Sequence, residues 1–271
     1  MTRGTWYTAV AYAFWGFFPI YWKFLAGISP LQLTCHRIVW SCVVLLVLVA
    51  ASKQWQPLFT ATRSARVLGV YSAAAVAIAV NWLIFVWATN AGNIVQVSLG
   101  YFINPLLSVV LGVFFFGERL RRLQWMSVAL AASGVLYLTV SLGALPWIAL
   151  SLAATFGAYG LLKKVAPLTA VVGLTLETLI LFVPAGAFLV MAELRGAGAL
   201  FHSGVFRDAL MLAAGPVTAF PLLLFAAGVR RIPLTRVGML QYINPTMQFV
   251  IGVLVYHEPF TRVQLAGFSL V

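Results

Sequence analysis

Acidic side chains are nearly absent from this chain. Five Asp and Glu stand among 271 residues, against 17 Lys and Arg. Charged residues of both signs make up 8% of the sequence, where soluble domains carry about 25%. So few charges cannot cover a water-soluble globule of this size. That excludes a soluble enzyme, a nucleic-acid binder and a disordered chain. Cysteine is scarce too. Cys35 and Cys42 fall on one helical face, where they neither staple a fold nor hold a metal alone. They read as small apolar packing residues. No Walker A loop, HExxH, CxxC or Gly-x-Ser-x-Gly occurs. Direct ATP drive, metal hydrolysis, dithiol chemistry and a hydrolase nucleophile therefore have no support. Catalytic residues, metal ligands and cofactors are expected to number none.

What fills the chain is apolar. Hydrophobic residues are 63% of it and the mean hydropathy is +1.02. The apolar stretches run about 20 residues at a time, the length of a spanning helix, without the short alternation of a membrane barrel. The expected class is an all-α membrane protein. Ten spans are read at 5–25, 31–51, 67–88, 94–116, 123–141, 146–163, 169–190, 208–229, 235–256 and from 263 onward. The first is rich in aromatics (Trp6, Tyr7, Tyr12, Phe14, Trp15) and reads as an uncleaved helix rather than a signal peptide. The tenth stops at Val271, far short of the roughly 20 residues a crossing needs, so it is expected to be truncated in this sequence.

Basic residues fall in alternate joints. Arg3, Lys53, Arg63, Arg66, Arg119, Arg121, Arg122, Lys163, Lys164, Arg230, Arg231 and Arg236 share one side; Arg195, Arg207 and Arg262 take the other. Twelve against three predicts a cytoplasmic N-terminus. It also explains the pI of 10.3 without an anionic partner. The stretch Lys53–Arg66 reads as a plain loop.

The chain repeats itself. Residues 103–124 align without a gap on 243–264, with Ile103, Asn104, Pro105, Val110, Gly112, Val113, Glu118, Arg122 and Gln124 identical to their partners at an offset of 140. Shared Leu or Val would mean little, whereas shared Asn-Pro, Gly, Glu, Arg and Gln at fixed spacing mark a duplication. Phe85 meets Phe225 at that offset, and Gly16 and Lys23 meet Gly157 and Lys164 at 141. The expected domains are residues 1–141 and 142–271. Ten spans halve into five, an odd number, so the second repeat must enter the bilayer from the opposite face. Such inverted repeats are a secondary-transporter architecture, with the substrate site at the repeat interface.

Phe14-Trp15-Gly16 with Lys23, Thr34 through Ser41, Asn81-Trp82, Ser98 through Leu106, Gly117-Glu118-Arg119 and Gln241 through Thr246 fit one pattern. Together they resemble the RarD branch of the EamA-type members of the drug/metabolite transporter superfamily, over the whole chain. The resemblance implies ten helices in two inverted EamA repeats in the bacterial inner membrane. It further implies a central cavity, alternating access and export of metabolites, amino acids or drugs. It also implies that the glutamate after the fourth and ninth spans, Glu118 and Glu258, typifies the fold.

Several residues are candidates for transport. Pro105 and Pro245 break helices at equivalent positions, and the carbonyls they free need protein or water as partners; both read as hinges. Asn104 and Asn244 beside them, with Asn81, Gln241, Trp15, Trp82, Tyr101, Tyr159 and Tyr242, are the expected cavity lining. Trp22, Trp87 and Phe102 read as interfacial belt or lipid-facing filler. His36, Arg37 and Glu177 are ionisable groups inside spans, hence functional candidates by default. They read as a coupling or charge network, with a structural pair or a snorkelling Arg37 as the bland alternative. Glu118 among Arg119, Arg121 and Arg122, and Glu258 near Arg262, read as ion pairs locking topology. Lys23 and Lys164 read as anchors, and Gly112, Gly134 and Gly252 as close-packing sites. The expected function is a secondary active transporter, with a channel or membrane scaffold as the alternative and an intramembrane enzyme further behind. Expected partners are a small-molecule substrate, the lipid bilayer and protons as a candidate coupling ion, with no nucleic acid. A monomer or homodimer is expected.

Overall fold

The computed structural model describes residues 2–91, 94–141 and 145–255; the tenth span, Glu258 and Arg262 lie outside them. Every regular element among the described residues is a helix. In chain order these are α1 (Arg3–Gly16), α2 (Phe18–Phe24), α3 (Pro30–Ala51), α4 (Trp55–Thr62), α5 (Ala65–Asn90) and α6 (Ile94–Phe116). They continue with α7 (Arg122–Ser141), α8 (Trp147–Val165), α9 (Ala170–Leu194), α10 (Val205–Val229), α11 (Leu234–Gln241) and α12 (Ile243–Leu254). Six of them, α3, α5, α6, α8, α9 and α10, are long and apolar enough to cross a membrane. Their outer faces stay apolar: Phe114 is 81% and Val183 71% exposed. A surface of that kind needs lipid, not water, around it.

Local chemistry sets the ends. Pro30 opens α3 at a position where a missing N–H costs nothing. Thr169 caps α9, its side chain accepting from Val172 N at 3.4 Å. Gly27, at φ +90°, makes the turn between α2 and α3 that a side chain would strain.

Three expectations change here. The first span is two helices. Pro19, in the first turn of α2, cannot donate to the Trp15 carbonyl and crowds it; Gln248 Nε2 on α12 reaches that carbonyl at 3.5 Å. The ninth span is likewise two, α11 and α12, parted at Tyr242 just before Pro245. Its counterpart Pro105 instead lies within an unbroken α6. The Lys53–Arg66 loop contains a helix, α4, which buries Leu58 and Ala61 beneath it.

Packing repeats as the sequence does. An added Cβ on Gly16 would meet Met247 Cβ at 2.7 Å, and one on Gly157 would meet Leu107 Cδ2 at 2.9 Å. Gly16 and Gly157 are counterparts, and so are Leu107 and Met247. So α1 leans on α12 as α8 leans on α6. The counterpart helices α1 and α8 present opposite ends to one loop. Gly4, at the start of α1, abuts Arg231 and Ile232, and Lys164, at the end of α8, donates to the Ile232 carbonyl.

Glu118 is not an ion pair with its neighbouring arginines. Its carboxylate accepts from Leu234 N at 2.6 Å and Thr235 N at 2.8 Å. It thus caps the orphan donors of α11 from the other half of the chain, where the helix dipole favours an anion. Glu118→Ala is expected to destabilise by about 1–3 kcal/mol, the cost of stranding buried donors. Thermal unfolding in detergent measures it, and a wild-type melting curve would remove the cap from the account.

Candidate functional site

A cavity of about 630 Å³ lies between the two halves of the chain. That is within the range of small-molecule sites. From the first half come Trp15, Trp22, Arg37, Asn81, Trp82, Tyr101 and Asn104; from the second, Phe156, Gln241, Asn244 and Gln248. The exposed Ala26 and Gly27 stand at its mouth, at the far end of the bundle from the N-terminus. Its floor is aromatic. Tyr12, Trp15 and Phe156 line the cavity and, with Phe225 behind them, form a web with ring centroids 5.6–6.2 Å apart. Beneath it Tyr159 stacks on Phe225 at 6.0 Å and 13°. Tyr12 OH reaches Gln241 Oε1 at 3.5 Å, tying α1 to the break between α11 and α12.

The two Asn-Pro sites, one inside the unbroken α6 and one just past the break between α11 and α12, supply polar walls. Asn104 and Asn244, each just before its proline, are buried against the cavity. Asn244 Oδ1 accepts from Gln248 Nε2 at 2.9 Å. Asn104 Oδ1 has no hydrogen-bond partner among the described residues. Asn81 Nδ2 donates to the Leu152 carbonyl and to Thr155 Oγ1, both at 2.9 Å, stitching α5 to α8. The close crossing of α6 and α11 needs Gly238, where an added Cβ would sit 2.6 Å from the Pro105 carbonyl.

Trp15, Asn81, Trp82, Tyr101, Asn104, Gln241 and Asn244 thus share the cavity, while Tyr159 and Tyr242 are not among its walls. Tyr159 is fully buried behind Phe225, and the Tyr242 hydroxyl is buried without a partner among the described residues. Trp22, read from sequence as belt or filler, is a wall. Its signal was the spacing of Phe18 and Trp22, one helical turn apart.

The expected network of His36, Arg37 and Glu177 does not form. Glu177 Oε1 pairs with Lys163 Nζ at 2.7 Å, and Glu177 Oε2 accepts from Tyr159 OH at 3.3 Å. Lys163, counted from sequence as a joint residue, is buried. Arg37 turns the other way, its Nε donating to Thr218 Oγ1 at 3.1 Å. His36 is buried, and its Nδ1 has no partner among the described residues. A void of about 10 Å³, about the space of one water, separates Trp82 and Thr218 from Glu177 and Tyr159.

The description "EamA-like transporter family" matches this chain twice, over residues 2–140 and 138–271. The chain is 44% identical over 274 residues to the uncharacterized transporter YojE of Bacillus subtilis, covering 99% of this chain and 91% of that one. It is 41% identical to the protein RarD of Streptomyces exfoliatus (96% and 83% covered) and 38% identical to the protein RarD of Escherichia coli (94% and 86%). A solved crystal structure shares the fold at a TM-score of 0.70 and 18% identity, over 99% of this chain and 95% of that one. These names point to a transporter rather than an enzyme. The chain belongs to the EamA-like transporter family, as a RarD-like member of the drug/metabolite transporter superfamily and a multi-pass bacterial membrane transporter.

Proposed function

We propose that the protein is a secondary active carrier working by alternating access, exporting small metabolites or drug-like solutes across the inner membrane. In this reading ten helices form two oppositely threaded five-helix repeats, residues 1–141 and 142–271. The N-terminus is cytoplasmic by the bias of its basic joints. The observation that carries the proposal is the cavity itself. It lies between the halves, has polar walls from both, and rests on an aromatic floor. With that orientation the mouth at Ala26 and Gly27 is periplasmic, and this reading takes the cavity as the outward-facing one. Opening inward requires the floor to part and the Tyr12–Gln241 contact to break. Pro105, whose carbonyl lies at the α6–α11 crossing, and Pro245, four residues beyond Gln241, are the proposed hinges. Glu177, engaged by Lys163 and Tyr159, is better supported as a structural pair than as a proton site.

Reconstitution into liposomes tests the reading. A carrier shows saturable counterflow of a labelled solute against unlabelled solute inside. The channel alternative shows flux without saturation, and either that or no flux across a broad panel sinks the proposal. Pro105→Ala with Pro245→Ala is expected to slow counterflow severalfold at unchanged folded yield. Equal loss of rate and yield would leave the prolines as static kinks.

A further inference from the structure

The cavity has one charged wall residue among the described residues, Arg37. It stands seven residues into α3 from Pro30, about 10 Å along the helix. A cation at that depth is costly and calls for a partner. The protein supplies only half of one. Nε is used by Thr218. The guanidinium carbon lies 4.5 Å from the ring centre of Trp82, 5.0 Å from Trp22 and 5.9 Å from Phe18. Those rings hold the charge by cation–π attraction. Aromatic rings supply that attraction but no oxygen acceptor for the guanidinium N–H groups. Among the described residues no carboxylate pairs with Arg37. Nη1 and Nη2 have no protein acceptor there and are not among the polar atoms sealed from solvent.

An edge with two parallel N–H donors matches one carboxylate, bidentate. From this geometry we infer that the carried solute is a monocarboxylate with an apolar or aromatic body, its carboxylate docked on the Nη edge of Arg37. The inference rests on the carrier reading of this cavity. A cationic solute meets Arg37 with repulsion, and a neutral one leaves its charge uncompensated. A phosphate dianion calls for a second cation, and none lines the described walls. A monocarboxylate cancels the single charge, and its body lies against the aromatic floor.

Three molecules of one shape decide the matter: phenylacetate, neutral phenylacetamide and cationic phenethylamine. Equilibrium binding to the purified protein is read from tryptophan fluorescence, because the rings of Trp22 and Trp82 lie 5.0 and 4.5 Å from the Arg37 guanidinium carbon. Phenylacetate is expected to bind at least about tenfold tighter than phenylacetamide, as a charge-assisted pair would, with phenethylamine weakest. Arg37→Gln is expected to erase that preference, and Arg37→Lys, which keeps the charge without the fork, to retain part of it. Equal binding of phenylacetate and phenylacetamide, or an unchanged preference in Arg37→Gln, overturns the inference. If Arg37→Gln does not fold, the three-molecule comparison on the unaltered protein decides alone. Saturable counterflow of solutes without carboxylate preference overturns the inference and leaves the carrier standing. Arg37-dependent phenylacetate binding without counterflow of any solute supports the docking site and removes the carrier.

Discussion

Replacing Lys163 with methionine is expected to cost the protein about 3–5 kcal/mol, because it strands a buried carboxylate. Lys163 Nζ lies 2.7 Å from Glu177 Oε1, with the two side chains 3% and 2% exposed. The rings of Tyr71 and Tyr159 hold the ammonium from the sides, at 5.5 and 5.8 Å. Without it, Glu177 keeps only the Tyr159 hydroxyl at 3.3 Å. Removing both charges is a different experiment. Lys163→Met with Glu177→Met leaves no unpaired ion, and the double variant is expected to recover most of the loss, since apolar replacement of a buried pair is often neutral. The coupling between the two sites, read from detergent unfolding of all four proteins, is thus large and favourable. A Lys163→Met protein as stable as the parent would show that the pair is not formed. The same double variant addresses protons. If it transports with unchanged pH dependence, Glu177 is not the coupling group; if that dependence vanishes while transport persists, the structural reading of Glu177 falls.

The difference between what the residues announced and what they hid lies in sequence distance. Gly16 and Gly157 stood out in the alignment of the halves, and the structure gives them equivalent contacts, Met247 and Leu107. The Asn-Pro pairs were equally visible, since few reasons put that dipeptide twice in apolar runs. The break at Pro19 was legible from the same rule that flagged Pro245 but carried no repeat to draw attention to it. Charge partners were not legible. Lys163 and Lys164 are adjacent in a basic joint, and only the helical rotation between them sends one to Glu177 and the other to the Ile232 carbonyl. Glu118 had three arginines within four residues, a pattern that reads as ion pairs, yet its acceptors are satisfied by backbone donors from the far half. A cavity wall is a property of several helices at once. That is why Trp22, a span-end aromatic by sequence, is a wall, and why Tyr159 lies behind the floor instead.

Gly215→Ala is expected to lose about 3 kcal/mol and, with it, carboxylate binding. Gly215 lies where α10 crosses α3, and a Cβ there would run into the Trp40 carbonyl group. Backbone cannot swing aside as a side chain can, so the helices must separate, an overpacking cost of about 1–3 kcal/mol. Separation also strains the bond from Ser41 Oγ to the Gly215 carbonyl, 3.1 Å long and worth about 1 kcal/mol. The same substitution at Gly69, on α5, meets nothing within 4 Å and is expected to gain up to about 1 kcal/mol from helix propensity. Comparing the two in detergent unfolding separates packing from any generic effect of replacing glycine. Function follows by a short lever. Thr218 sits one turn beyond Gly215 on α10 and holds Arg37 Nε at 3.1 Å. Pushing α10 off α3 therefore frees the guanidinium that faces the cavity. A Gly215→Ala protein that is destabilised yet binds phenylacetate as the parent does would show that Arg37 is aimed by its tryptophans alone, without help from α10.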